Sequence, residues 1–291
     1  MKNIIAETEL ILNPDGSIYH LKLHPENIAD TIIVVGDQER VGEISKHFDS
    51  VEFKIQNREF VTHTGFVGKK RITALSTGIG TDNIDIVLNE LDALVNIDLK
   101  TREINENKKS LNIIRIGTSG ALQSDIMPDS FVVSAHGLGF DGLLNYYSNL
   151  DLVCEKEISE SFIKHTKWNS RLPYPYVVKG SDKLISEIGK DFICGITATA
   201  PGFYGPQGRE LRMKPLIPDL NESLTSFRHQ DLRISNFEME TSALYGLSKH
   251  LGHNAFTICL IIANRVIKKY SKNYHQSMEK LISIVLERLT A

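Results

Sequence analysis

Two glutamates two positions apart, in the run Asn236-Phe237-Glu238-Met239-Glu240, carry the clearest chemical signal in this chain. In an extended backbone, side chains at i and i+2 share a face, so Glu238 and Glu240 would project together. An ionised carboxylate accepts hydrogen bonds through both oxygens, and its charge strengthens them, which suits vicinal hydroxyls of a sugar. The same pair also suits the positive end of a helix, and the residues that follow predict one. On this segment alone both readings stand.

Three arginines fall where strands end or loops begin: Arg40 after Gly36-Asp37, Arg58 before Glu59-Phe60, and Arg115 just before Gly117-Thr118-Ser119-Gly120. A guanidinium grips an oxyanion through paired, charge-assisted hydrogen bonds. The glycines at 117–120 read as a turn in which backbone N–H groups and the Thr118 hydroxyl can approach an anion. Scattered surface arginines are the alternative for Arg40 and Arg58. Arg115 differs, because it sits inside the apolar run 113–116 and needs a partner if buried.

A third segment is Phe203-Tyr204-Gly205-Pro206-Gln207-Gly208-Arg209. Extended, it would place Gln207 and Arg209 on one side, roughly 7 Å apart. Glutamine both donates and accepts while arginine only donates. Together they fit the edge of a base that carries carbonyls and an N–H, with Phe203 stacked on its face. A surface turn accounts for the glycines and proline equally well.

Short β-branched runs alternate with helical patterns along most of the chain, which predicts an α/β fold. Residues 31–35 read as a buried strand, followed by a short helix over 40–48. Residues 59–64 and 71–76 read as strands paired around a turn at 65–70. Residues 81–96 read as a helix with Ile84, Val87, Leu88, Leu91 and Val95 on one face. Further strands are expected at 112–116, 131–135, 195–200 and 255–263, and helices at 183–188 and at 241–251, stopped by Gly252. Met278, Leu281, Ile282, Val285, Leu286 and Leu289 repeat at helical spacing near the C-terminus. Residues 98–110 are charged, rich in asparagine and almost without apolar side chains. A core strand resumes directly after them, so they read as an exposed insertion in a single domain spanning 1–291.

Hydrophobic residues make up 41% of the 291 and charged residues 24%, enough to bury a sizeable core. A net charge of -3 and a pI near 6.4 give no electrostatic basis for binding nucleic acid or an anionic membrane. The apolar run 255–263 is roughly half of the ~20 residues a membrane span needs. Glu7 and Glu9 interrupt any signal-peptide core, so a cytoplasmic location is expected. Cys154, Cys194 and Cys259 form no C-x-x-C pair, and His20, His24 and His63 lack metal-ligand spacing. Gly137-Leu138-Gly139-Phe140-Asp141-Gly142 matches G-x-G-x-x-G, but 143–149 does not continue as a helix, so a dinucleotide site is set aside.

Taken in order, these segments resemble the nucleoside phosphorylase superfamily, and most closely its uridine phosphorylase members. The matching pieces are Val35-Gly36-Asp37-Gln38-Glu39-Arg40, Arg58-Glu59-Phe60, Ser76-Thr77-Gly78-Ile79-Gly80 and Arg115-Ile116-Gly117-Thr118-Ser119-Gly120. Phe203-Tyr204 with Gln207-x-Arg209, the run 236–240, and Asn264-Arg265 complete the set. The resemblance covers residues 20–266. Two departures stand out: Val35 and Gln38 occupy positions where proline is usual, which bears on loop stiffness more than on chemistry. The insertion at 98–110 is longer than in compact bacterial relatives and bears on assembly.

The resemblance implies a three-layer α/β/α sandwich with a mixed, partly barrel-like central sheet. It implies phosphate binding by Gly36, Arg40, Arg115 and Thr118, with Arg58 crossing into a neighbouring subunit's site and His20 reaching the ribose 5′-hydroxyl there. Thr118, Glu238, Met239 and Glu240 would hold the ribose; Phe203, Gln207 and Arg209 would hold the base. Arg115, Glu240 and Arg209 would carry most of the catalysis. The implied reaction converts a pyrimidine nucleoside and phosphate into free base and ribose 1-phosphate. Phosphate is the co-substrate, no metal or organic cofactor is required, and the working unit is a homo-oligomer, at least a dimer, with a hexamer left open. Asn264 stands where purine-cleaving hexameric relatives place an acidic aspartate, which favours the pyrimidine. The alternatives are a purine nucleoside phosphorylase or nucleosidase of the same fold, and a non-catalytic nucleoside-binding protein.

Overall fold

The computed structural model describes residues 4–291. Strands β1 (Thr31–Val35), β2 (Ser50–Asn57), β3 (Phe60–Val67) and β4 (Lys70–Ser76) come first, with helix α1 (Gln38–Ser45) after β1 and helix α2 (Thr81–Asn96) after β4. A small hairpin of β5 (Ile97–Asp98) and β6 (Glu103–Ile104) leads to β7 (Asn112–Ala121) and β8 (Phe131–Gly139). Next are α3 (Lys156–Thr166), β9 (Tyr176–Lys179), α4 (Asp182–Ile188) and β10 (Ile193–Thr199). The chain ends with α5 (Leu220–Ser226), β11 (Arg228–His229), β12 (Leu232–Glu238), α6 (Thr241–Leu251), β13 (Asn254–Asn264), β14 (Lys269–Tyr270) and α7 (Tyr274–Thr290).

The main sheet runs β2-β3-β4-β1-β7-β13-β8-β10-β12. At its far end β12 pairs back on β7, with Asn236 opposite Ala121 and Phe237 opposite Gly120. Strands β7, β13, β8, β10 and β12 therefore close into a barrel-like ring, while β1 to β4 extend from it as an open wing. Pairing is mixed: β1 lies parallel to both neighbours, whereas β13 is antiparallel to β8.

All five residues of β1 are buried, and they divide by parity. Ile32 and Val34 pack under α2 and α6 with Ile84, Leu88, Leu244 and Leu247. Ile33 and Val35 pack on the other face with Leu281, Ile282 and Val285 of α7. Helices on both faces of the sheet give the expected three layers, and a strand covered on both faces reads as an unbroken apolar run. Each such side chain contributes about 1.5–3 kcal/mol on burial. In β7, Ile113 belongs to the α2/α6 core and Ile114 and Ile116 to the α7 core. Arg115 shares Ile113's parity, so the strand itself carries a guanidinium toward the layer that contains α6.

Helices α2 and α6 match the sequence reading end to end, and Gly252 closes α6 in the left-handed conformation at φ 81°. Other boundaries moved. The expected turn at 117–120 is instead part of β7, paired along its length with β13. Glycine is needed there for space: a Cβ at Gly117 would lie 1.8 Å from Arg115 Nη1. The turn expected at 65–70 narrows to Gly68 and Lys69, because β3 continues to Val67. Helix α1 starts at Gln38, since the Asp37 side chain accepts from the Glu39 amide at 3.0 Å and caps it, and it stops at Ser45. Strand β2 gave no sequence signal because it is a largely exposed edge of mixed polarity. Residues 137–139 lie inside β8, which removes the glycine loop that a dinucleotide site requires. Residues 98–110 are largely exposed and hold the β5–β6 hairpin. Among the described residues no helix is long and apolar enough to cross a membrane.

Candidate active site

A cleft of about 820 Å³ opens where β1, β4 and β12 end and β7 passes beneath. Gly36, Arg40, Arg115 and Thr118 line one part, and Glu238, Met239 and Glu240 the next. Phe203, Gln207 and Arg209 line the remainder. Residues that are more than 150 positions apart in sequence thus share one wall, at the carboxyl ends of parallel strands where open α/β sheets bind ligands.

Glu238 and Glu240 do converge, but not as alternate residues of one strand. Glu238 ends β12, and Glu240 follows in a turn as the residue before α6. Glu238 is fully engaged in structure: its carboxylate accepts from Thr199 Oγ1 at 2.6 Å, Glu240 N at 3.0 Å and Thr241 N at 2.9 Å. This is the helix-end reading of the pair, and Glu238 also lines the cleft beside Met239 and Glu240. Burial pushes the Glu238 carboxyl up to about 7, with Arg115 pulling it down and Glu240 raising it. Glu240 accepts from the Gly80 amide at 2.9 Å, and from Arg115 Nη2. Gly80 holds φ 101°, a conformation that a side chain would strain, while its N–H meets the Glu240 carboxylate.

Arg115 is the buried hub. Its Nη2 meets Glu240 directly and lies 3.4 Å from Glu238, while Nη1 donates to Cys259 Sγ at 3.5 Å. Burial opposes its charge, but Glu240 and Glu238 outweigh that and hold its pKa above the ordinary arginine value. The partner demanded by a charge in an apolar strand is therefore present. Arg40 is the contrast. Half-buried at the start of α1, it makes no side-chain hydrogen bond or ion pair with any described residue, and burial together with the charge of Arg115 lowers its pKa despite Asp37. An arginine so placed is suited to an anion arriving from solution.

At the other end a 3-10 turn, Gly205–Gln207, brings Gln207 and Arg209 together rather than an extended chain. Arg209 Nη1 donates to Gln207 Oε1 and to the Phe203 carbonyl, each at 2.5 Å. The Arg209 guanidinium also lies 3.7 Å over the Phe203 ring, so arginine covers one face of that ring. Burial and the charge of Arg265 push Arg209 down to about 10. Gln207 is buried, and neither its Nε2 nor Arg209 Nη2 has a partner among the described residues, leaving two donors for carbonyl oxygens.

His20 and Arg58 do not line this cleft. They sit together elsewhere, with Asn57 Nδ2 donating to the His20 carbonyl at 2.7 Å and Arg58 lying 5.5 Å from the Tyr19 ring. Asn264, at the position where purine-cleaving relatives carry an aspartate, has its side chain engaged by the backbone and does not line the cleft. Its Nδ2 donates to the carbonyls of Gln123 and Ile126 at 2.8 Å, and its Oδ1 accepts from Val266 N and Ile267 N. Two neighbours were missed by sequence reasoning. Arg265 supports the Gln207 carbonyl at 3.2 Å, and Tyr270 lines the cleft from β14. The pair Asn264-Arg265 was the available signal for the first; nothing in the sequence marked Tyr270.

Comparisons with known proteins show the family. A family model described as the Phosphorylase superfamily matches residues 30–290. A uridine phosphorylase of Thermococcus kodakarensis is 28% identical over 266 residues, covering 89% of this chain and 81% of that protein. A uridine phosphorylase of Haemophilus influenzae is 26% identical over 275 residues, covering 93% and 96%. The structure of a Trypanosoma brucei nucleoside phosphorylase, described as showing uridine phosphorylase activity, superposes with a TM-score of 0.87 at 30% identity, covering 97% of this chain and 99% of that one.

Proposed function

We propose that this chain, which belongs to the phosphorylase superfamily, cleaves the N-glycosidic bond of uridine with inorganic phosphate to give uracil and ribose 1-phosphate. The observation that carries the proposal is the unpartnered Arg40 guanidinium beside Arg115, in one cleft with the free donors of Gln207 and Arg209. One end of the cleft is built for an oxyanion and the other for a flat ring bearing carbonyls.

In the reaction, the C1′–N1 bond breaks and its electron pair moves into the uracil ring, while a phosphate oxygen bonds to C1′. The proton of monohydrogen phosphate passes to the departing base, which balances the step. Arg209 and Gln207 stabilise the negative charge that develops on the uracil carbonyls, where preorganised donors have most effect. Arg40, with Arg115, the Thr118 hydroxyl and the Gly36 backbone, holds phosphate beneath C1′ as nucleophile and as counter-charge to the oxocarbenium-like sugar. Glu240 and Met239 orient the ribose, a contribution made through geometry. Arg115 does double service by fixing the Glu240 carboxylate.

The roles of His20 and Arg58 are read across subunits: the working enzyme is a homo-oligomer in which each protomer lends these residues to its neighbour. No metal or organic cofactor enters the reading, and pyrimidine salvage in the cytoplasm is the setting it fits. The pyrimidine choice is tested by assaying uridine and inosine side by side in phosphate buffer. Uracil release is expected to dominate, and release of hypoxanthine without uracil would overturn it.

A further inference from the structure

Glu90 lies outside the cleft, on α2, yet its carboxylate is one of the most heavily used in the molecule. Its oxygens accept the backbone N–H of His20 at 2.9 Å and of Leu21 at 2.8 Å. The Oε1 atom also meets His20 Nδ1 at 2.6 Å. The Glu90 side chain is 13% exposed and that of His20 28%, so the contact is partly shielded from water. Among the described residues no group bonds to His20 Nε2.

An ionised carboxylate has only acceptors to offer, so a short contact with Nδ1 requires the proton to sit on that nitrogen. In a neutral imidazole the other nitrogen, Nε2, is then an acceptor and points outward with its lone pair. We propose that Glu90 is a positioning residue that sets the tautomer and direction of His20, so that Nε2 accepts a hydrogen bond from the 5′-hydroxyl of the ribose bound by the neighbouring protomer. This rests on the reading above that His20 serves the neighbour's site. A glutamine at position 90 keeps an oxygen for the two backbone amides. It also offers an N–H₂ that favours the opposite tautomer, in which Nε2 carries the proton. The backbone clamp and the tautomer can therefore be separated.

The test compares kcat/KM for uridine and 5′-deoxyuridine in the full-length enzyme, in Glu90→Gln, in His20→Ala and in the double variant. One hydrogen bond of this kind corresponds to a preference of about tenfold. His20→Ala is expected to lose most of that preference; Glu90→Gln is expected to lose part of it at an unchanged melting temperature, since Nε2–H can still donate to the hydroxyl oxygen, and the double variant is expected to lose no more than His20→Ala. Retained preference in Glu90→Gln, with preference lost in His20→Ala, overturns the proposal and leaves His20's role intact. Retained preference in His20→Ala removes the reading on which the proposal rests, and the proposal with it. Should Glu90→Gln fail to fold, nitrogen-15 spectra of the unaltered enzyme decide the matter: a proton on His20 Nδ1 supports the proposal, and a proton on Nε2 in the neutral ring overturns it.

Discussion

Arg40 and Arg115 represent two ways to keep a guanidinium away from bulk water. Arg115 is neutralised inside the protein by Glu240 and Glu238, so its removal would leave two buried carboxylates unpaired. That kind of loss costs about 3–5 kcal/mol and would confound any catalytic test. Arg40 has no such partners, and its burial works against its charge. It is therefore the cleaner residue to alter. Arg40→Met is expected to raise the KM for phosphate at least about tenfold, the equivalent of one charge-assisted hydrogen bond. In phosphate-free buffer its melting temperature should equal or exceed the parent's, since an unpaired buried charge is replaced by an apolar chain of similar length. Initial rates across a phosphate series, with thermal melts alongside, check both parts. An unchanged phosphate KM would remove Arg40 from the anion site.

At the scale of elements, the site depends on how strands end. Strand β12 stops at Glu238 because that carboxylate caps α6, and the turn that results swings Glu240 onto Arg115. The end of β13 is held in a comparable way by Asn264, which ties four backbone groups together. Asn264→Asp should therefore act as a structural lesion and not as a change of base preference. An oxygen would replace the donor to the Gln123 and Ile126 carbonyls, at about 1–3 kcal/mol for groups left unsatisfied. A melting temperature lower by several degrees is expected, with no activity gained on inosine. Purine cleavage gained at an unchanged melting temperature would contradict this. Sequence periodicity located α2, α6 and β13 well, because each buries a continuous stripe or run. It failed at β2, an exposed edge, and at 117–120, where glycines that suggest a turn instead make room for a guanidinium inside a strand. The spacing of Gln207 and Arg209 was informative for an incidental reason, since a 3-10 turn and not an extended chain unites them.

Across the whole molecule, the open wing supplies Gly36 and Arg40, and the closed ring supplies Arg115, Glu240 and Arg209. No local pattern announces that convergence. It follows from β1 lying beside β7 in register, Val34 opposite Arg115, which brings the loop after β1 near the guanidinium. Order along the chain suggested the arrangement through family resemblance, including a place for His20 and Arg58 outside this cleft, whereas the Asn57 and Tyr19 contacts that hold them together became visible only in three dimensions. The most direct test of the account is a product balance on uridine with and without inorganic phosphate, measuring uracil, ribose 1-phosphate and free ribose. Uracil and ribose 1-phosphate should appear in equal amounts, and only when phosphate is present. Uracil formed with free ribose at the same rate in the absence of phosphate would contradict it.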